Sequence, residues 1–431
     1  MDYIKIFNEI MEITHHDYAG WEEKQGWDCP EIFLDEMNRL DEKKELSPQK
    51  FAEIVNEYLI SFQDRHMYFL LEGSENVKVS TCGFRVRRYE DALYVTETVE
   101  EERFSKGAKI ISIDNQSITA IISSKQHLLR EISAEREDWS HIINKASSIE
   151  IVGLNNQVME LNLQKYEPVP RKNVCTLKSM NENTLMMTLP SFSNVRAVLD
   201  FVENHEDELK TCENLIIDVR KNNGGNGQAY STLMKYIFPP GESPNTEVKL
   251  REFNCTNRNS DLFIQLSQDL RKNIDDEGTL RVLDFAEEQF GRYRGQGFIA
   301  FDFSDLIKEE IVEMEGRISP QKIIVLSDSY CASAGEFFIE TCMESSKVTV
   351  IGRSTMGVND YSDLVMKNWE NMFTLYYPIS RLVEKTPNHP LHGKGIQPHH
   401  YIPWTPNHIF EDVDLKYALK LIEAERNVNI L

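Results

Sequence analysis

The sequence predicts a multi-domain α/β protein. Two observations carry that class: in the C-terminal half an apolar, β-branched run twice breaks at a polar or glycine-containing turn and hands over to a run with helical spacing, and residues 170–431 alternate such segments throughout. A third sets the N-terminal part apart. Residues 1–72 are rich in Glu, Lys, Leu and Ile at helical spacing, whereas residues 74–168 switch to short alternating runs. At 431 residues, with 41% hydrophobic and 27% charged, the chain has ordinary globular composition and length enough for two or three domains, and its core needs no cofactor.

Along the first 72 residues, turn signals at Cys29-Pro30 and Leu46-Ser47-Pro48 divide a small helical domain that ends in the loop around His66, within LISFQDRHMYF. A lone histidine beside aromatics is ordinarily a packed or surface residue. From 74 to 168, strands are expected at Ala92 to Val99 and Lys109 to Ile113, with helical stretches between 120 and 146, forming a small mixed module.

In the third region, Leu215 to Val219 reads as a buried strand that runs into Arg220-Lys221-Asn222-Asn223-Gly224-Gly225. A glycine pair there lets backbone N–H groups approach a ligand closely, although a plain tight turn has the same composition. Residues 258–318 read as a charged helical insertion containing Arg271-Lys272 and Lys308-Glu309-Glu310, either a solvated face or a lid. The run QKIIVLSDSYCASAGE, 321–336, then presents Ser333 among small residues at a strand-to-helix junction. The first N–H groups of that helix have no partner within it and suit a developing oxyanion. The competing reading is a capping box, Ser333-x-x-Glu336, that merely closes the helix start.

Charge and cysteine usage narrow the setting. A formal net charge of −23 argues against nucleic acid or an anionic membrane as partner. Seven cysteines without a C-x-x-C pair read as reduced thiols, and Cys331 as packing. The N-terminus has no basic stretch followed by an apolar core, and no run of about 18 apolar residues occurs, so no membrane insertion and a cytoplasmic location are expected. Histidines 389, 392, 399 and 400 match no structural zinc spacing, so neither metal nor cofactor is expected.

Taken together, Asp218-Val219-Arg220-Lys221-Asn222-Asn223-Gly224-Gly225 and Ser333-Ala334-Gly335-Glu336, in this order, resemble the core blocks of the tail-specific, or C-terminal-processing, serine peptidases, family S41. Thr188-Leu189-Pro190-Ser191-Phe192, Gly352-Arg353-Ser354-Thr355-Met356-Gly357 and Gly393-Lys394-Gly395-Ile396-Gln397-Pro398 extend the resemblance over most of the chain. One departure matters. Enzymes with a Ser–Lys dyad carry lysine directly after T-x-G, and here that position is Val358. Asp64-Arg65-His66 instead resembles the D-x-H block of the tricorn-like branch, whose base is a histidine.

The resemblance implies a crotonase- or Clp-protease-like α/β superhelical catalytic core over 170–431. It further implies a PDZ-like module at 74–168, where Gly83 and Phe84 would receive a peptide, although Ala108 replaces an expected aspartate. The function implied is a serine endopeptidase acting on peptides or unfolded protein tails, with Ser333 as nucleophile, His66 as general base and the N–H groups of Gly224, Gly225 and Ala334 as oxyanion hole. Asp64 and Glu384 are the two candidates for the acid that orients His66. Two other readings stay open: a catalytically silent relative that binds peptides or apolar ligands, and a crotonase-like acyl-CoA enzyme. Oligomeric state is not legible.

Overall fold

Six strands form the central sheet, in the order His400–Tyr401, Val348–Gly352, Lys322–Ser327, Asn214–Asp218, Thr184–Thr188, Thr176–Asn181; all neighbours are parallel except the last pair. The computed structural model describes residues 1–72, 81–131, 133–169, 172–245, 251–274, 277–306, 315–383 and 393–428. Because side chains alternate across a strand, Leu215, Ile217, Ile323 and Val325 pack on one face against the helix Ala334–Met343. Ile216, Ile324, Leu326 and Ile351 pack on the other face against the helix Val413–Val428. Both faces being covered explains why these strands read as continuous apolar runs.

The register aligns Asp218 with Leu326 and Ser327 with Gly352, so the loops that follow these strands leave from one edge of the sheet. Open α/β sheets bind ligands at such an edge.

A second sheet runs Phe84–Tyr89, Ala92–Thr98, Lys109–Ile113, Ser148–Val152, Val158–Asn162, all antiparallel, with the helices Ile118–Lys125 and Ser140–Lys145 closing its core of Leu93, Val95, Ile110, Trp139 and Ile149. Phe84–Tyr89 is an edge strand.

The third sheet joins distant parts of the sequence. Phe373–Leu382 pairs antiparallel with Tyr68–Leu71, Arg251–Asn254 and Tyr361–Trp369, and Arg251–Asn254 pairs with Phe298–Phe301. Its core contains Phe7, Ile10, Phe51 and Tyr58 from the N-terminal helices together with Phe253, Phe290, Phe373 and Tyr377. The helical segment drawn at 1–72 and the insertion drawn at 258–318 therefore share one core rather than standing apart. Phe290 of the helix Glu277–Arg292 is fully buried in it, and charged pairs such as Arg294–Asp261 lie outside. Lys308-Glu309-Glu310 falls outside the described residues. Pro30 and Pro48 each sit in a first helical turn, where a missing N–H costs nothing.

Candidate active site

Ser333 joins the strand Lys322–Ser327 to the helix Ala334–Met343 with φ 54° and ψ −122°, a backbone conformation that costs a residue with a side chain about 1–3 kcal/mol. No capping box forms there: the Ser333 hydroxyl makes no cap hydrogen bond. Glu336 is also spent elsewhere. Its carboxylate is buried and accepts from the Thr355 hydroxyl at 2.5 Å and from the N–H groups of Gly357 at 2.5 Å and Val358 at 2.9 Å. Burial pushes the Glu336 carboxyl up, against the pull of these donors and of the nearby His66 ring in its protonated form.

Asn222, fully buried, staples the glycine loop to its neighbours. Its Nδ2 donates to Leu189 O at 2.9 Å, its Oδ1 accepts from the Gly224 N–H at 2.9 Å, and its carbonyl accepts from the Ala332 N–H at 2.9 Å. Gly224, with φ 92°, presses on the serine, since a Cβ there would lie 2.7 Å from Ser333 Cβ. The oxyanion assignment is corrected at this point: the Gly224 N–H is committed to Asn222, while the N–H groups of Gly225 and Ala334 have no protein acceptor among the described residues.

His66 sits in the turn between the helix Pro48–Ile60 and the strand Tyr68–Leu71. Asp64 fixes that turn rather than the ring: Oδ1 accepts from the His66 backbone N–H at 2.8 Å, and Oδ2 accepts from the Tyr18 hydroxyl at 2.7 Å. The ring is held by Tyr361, whose carbonyl lies 2.8 Å from His66 Nδ1. A carbonyl only accepts, so Nδ1 carries the proton of the neutral ring and Nε2 keeps a free lone pair, the tautomer that a general base requires. Asp64 is thereby set aside as the acid that contacts the ring, and Glu384 lies outside the described residues.

One loop ties His66 and Ser333 together. Asn359 Nδ2 donates to Ser333 O at 3.0 Å, and two residues on, Tyr361 holds His66. Val358, at the position of the dyad lysine, is buried with its N–H on Glu336. Ser333 Oγ and His66 make no hydrogen bond to each other, and such bonds commonly tighten only with substrate bound. Arg136, from the second-sheet unit, holds the same loop by donating to the carbonyls of Ser354, Thr355, Met356 and Gly393.

Behind the serine loop, Asp328 lies between Arg87 and Arg353, and Asp414 between Arg353 and Arg220. Burial opposes ionisation of both carboxyls, yet the guanidiniums and the hydrogen bonds around them, including one from His408 to Asp414, hold both well below the usual range.

Of the C-terminal histidines, 389 and 392 lie outside the described residues; His399 Nδ1 accepts from the Val350 N–H, and His400 meets the Tyr417 hydroxyl. Reading the sequence missed Asn222, Asn359, Glu336 and Arg136 as positioning residues. The first three stand inside or beside the quoted blocks, and Arg136 has no local signal.

The model of Peptidase family S41 matches residues 183–402, a span that includes the glycine, serine and Thr355–Tyr361 loops but not His66. Among solved structures, mature CPAF complexed with lactacystin aligns over 94% of this chain and 94% of its own, with TM-score 0.62 and 14% identity. A CPAF mutant aligns over 95% and 94%, with TM-score 0.63 and 12% identity. At these identities the likeness concerns the fold, which is the multi-domain α/β arrangement described above. No curated protein matches the sequence. The family match covers more than half of the chain, including the loops that carry the glycine pair, Ser333 and Thr355–Tyr361, so the chain belongs to peptidase family S41 and is a serine-type peptidase.

Proposed function

We propose that this chain is a serine endopeptidase that cuts extended peptides and unstructured protein tails through an acyl-enzyme on Ser333. The observation that carries the reading is a hydroxyl with no capping partner, held at φ 54° beside two unengaged N–H groups. His66 Nε2 takes the Ser333 proton as Oγ attacks the scissile carbonyl. The oxyanion then sits between the Gly225 and Ala334 N–H groups, where losing one donor costs about 3 kcal/mol of barrier in other serine proteases. On collapse, His66 returns the proton to the leaving amine, and water releases the acyl group by the same route.

An extended substrate is supported by the edge strand Phe84–Tyr89, which borders a groove of about 490 Å3 lined by Gly83, Phe84, Val86, Trp139 and Ile143. Strand addition suits that edge. Capture of a free C-terminus there has less support, because the Gly83 N–H is spent on the Thr81 hydroxyl. The net charge of −23 favours peptides over nucleic acid, and seven free cysteines fit a cytoplasmic setting.

A fluorophosphonate probe tests the nucleophile. It is expected to label Ser333 covalently in the full chain, as read by mass spectrometry, and to leave Ser333→Ala unlabelled while that variant stays folded. Labelling that persists in Ser333→Ala contradicts the assignment.

A further inference from the structure

A separate cavity of about 610 Å3 borders the catalytic loop at Gly357 and Val358 and the His66 turn at Asp64 and Arg65. Its carboxylates are all engaged. Asp64 accepts from Tyr18 and the His66 N–H, Glu131 from Arg136, Glu135 from Tyr401 and the Trp404 N–H, and Asp360 from the Gly393 N–H.

Of the cations, Arg136 is paired with Glu131 and Lys24 donates to the Tyr18 hydroxyl, but two arginines are not matched in the same way. Arg130 lines the cavity, and its guanidinium makes no hydrogen bond or ion pair with any described residue; its nitrogens are not sealed from solvent. Among the described residues Arg65 reaches only Asp138, at 3.8 Å. Burial lowers the Arg130 pKa, and Asp138 offsets this only across space. Arg130 also holds φ 57°, a left-handed conformation that a long side chain rarely adopts. A planar fork of five N–H donors beside a second arginine is matched by a carboxylate, which can accept two of them at once.

We propose that this cavity is a carboxylate subsite for the peptide being cut, anchored by Arg130 with Arg65 beside it. The inference rests on the peptidase reading and deepens it. Because His66 delivers its proton to the leaving amine, a cavity against the His66 turn lies on the leaving-group side. The carboxylate therefore belongs to one of the few residues after the scissile bond. It is either an Asp or Glu side chain or the substrate's own C-terminus, and the chemistry of recognition is the same.

The test uses the full chain and fluorogenic peptides that carry Glu or Gln at each of three positions after the cut, each made as free acid and as amide. The expected result is a kcat/KM ratio of about tenfold in favour of the anion, collapsing toward one in Arg130→Asn, a substitution that tolerates the left-handed backbone. A Glu-over-Gln preference at one position assigns the side chain; an acid-over-amide preference on neutral peptides assigns the terminus. Equal rates across the set overturn the subsite, as does a preference that survives in Arg130→Asn. Failure of the peptidase reading is distinguishable, because then no peptide is cut and the probe does not label Ser333. In that case fluorescence anisotropy with the same peptides and the Ser333→Ala chain decides the subsite by the same comparison.

Discussion

At Gly224 the chain has no room for a side chain: a Cβ would lie 2.7 Å from Ser333 Cβ and 3.0 Å from Ala332 O, at a φ of 92° that favours glycine. Gly224→Ala is therefore expected to displace Ser333, and, if Ser333 is the nucleophile proposed above, a shift of about 1 Å costs on the order of 100-fold in rate. The measurement is kcat on an unstructured peptide, with a thermal melt to show that the fold persists; near-normal kcat contradicts the contact. The serine and the glycine pair were legible in the sequence because small residues at a strand end leave few alternatives. Their use was less legible. Ser333 and Glu336 have capping-box spacing, but the loop from Thr355 to Val358 offers Glu336 three donors that no local pattern announces. Gly224 resembled an oxyanion donor by its motif, yet Asn222, four residues into the same block, had already claimed its N–H.

Among the elements, the serine loop rests on the Arg87–Asp328–Arg353–Asp414 network, whose side chains are almost wholly buried. Removing one partner from such a network leaves uncompensated charge, which costs about 3–5 kcal/mol. Asp328→Asn is expected to lose stability of that order near neutral pH in denaturant titrations. The pH dependence has a defined sign. Asp328 and Asp414 are held below the unfolded value of about 3.9, so their contribution is complete above that pH and is lost as the pH falls through it toward the folded values. The deficit of Asp328→Asn should consequently shrink below about pH 4; a deficit independent of pH contradicts this. The central strands were legible because a parallel strand buried on both faces reads as one apolar run. Arg87 was not, because its partner lies 241 positions away and only the docking of two sheets brings them together.

Across the whole molecule, the third sheet explains how a histidine from the N-terminal helices comes to the loop that also holds Ser333. Tyr68–Leu71 pairs with Phe373–Leu382, and Tyr361, 295 positions from His66, caps its ring. Sequence periodicity identified the helices but drew them as a domain of their own, since pairing between such distant strands leaves no local trace. The shared core gives a further expectation: a chain lacking residues 1–60 exposes the sheet face around Phe373 and Tyr377 and should show no cooperative thermal transition. A sharp transition in that truncated chain contradicts a common core.

The central claim is that Ser333 and His66 act as one catalytic unit, and a double-mutant comparison tests it most directly. Steady-state kcat/KM on an unstructured peptide is measured for the unmodified chain, Ser333→Ala, His66→Ala and the double variant. If the pair acts together, each single substitution removes nearly all activity and the double variant is little worse than either. Substantial activity remaining in His66→Ala, or losses that multiply in the double variant, would contradict the account.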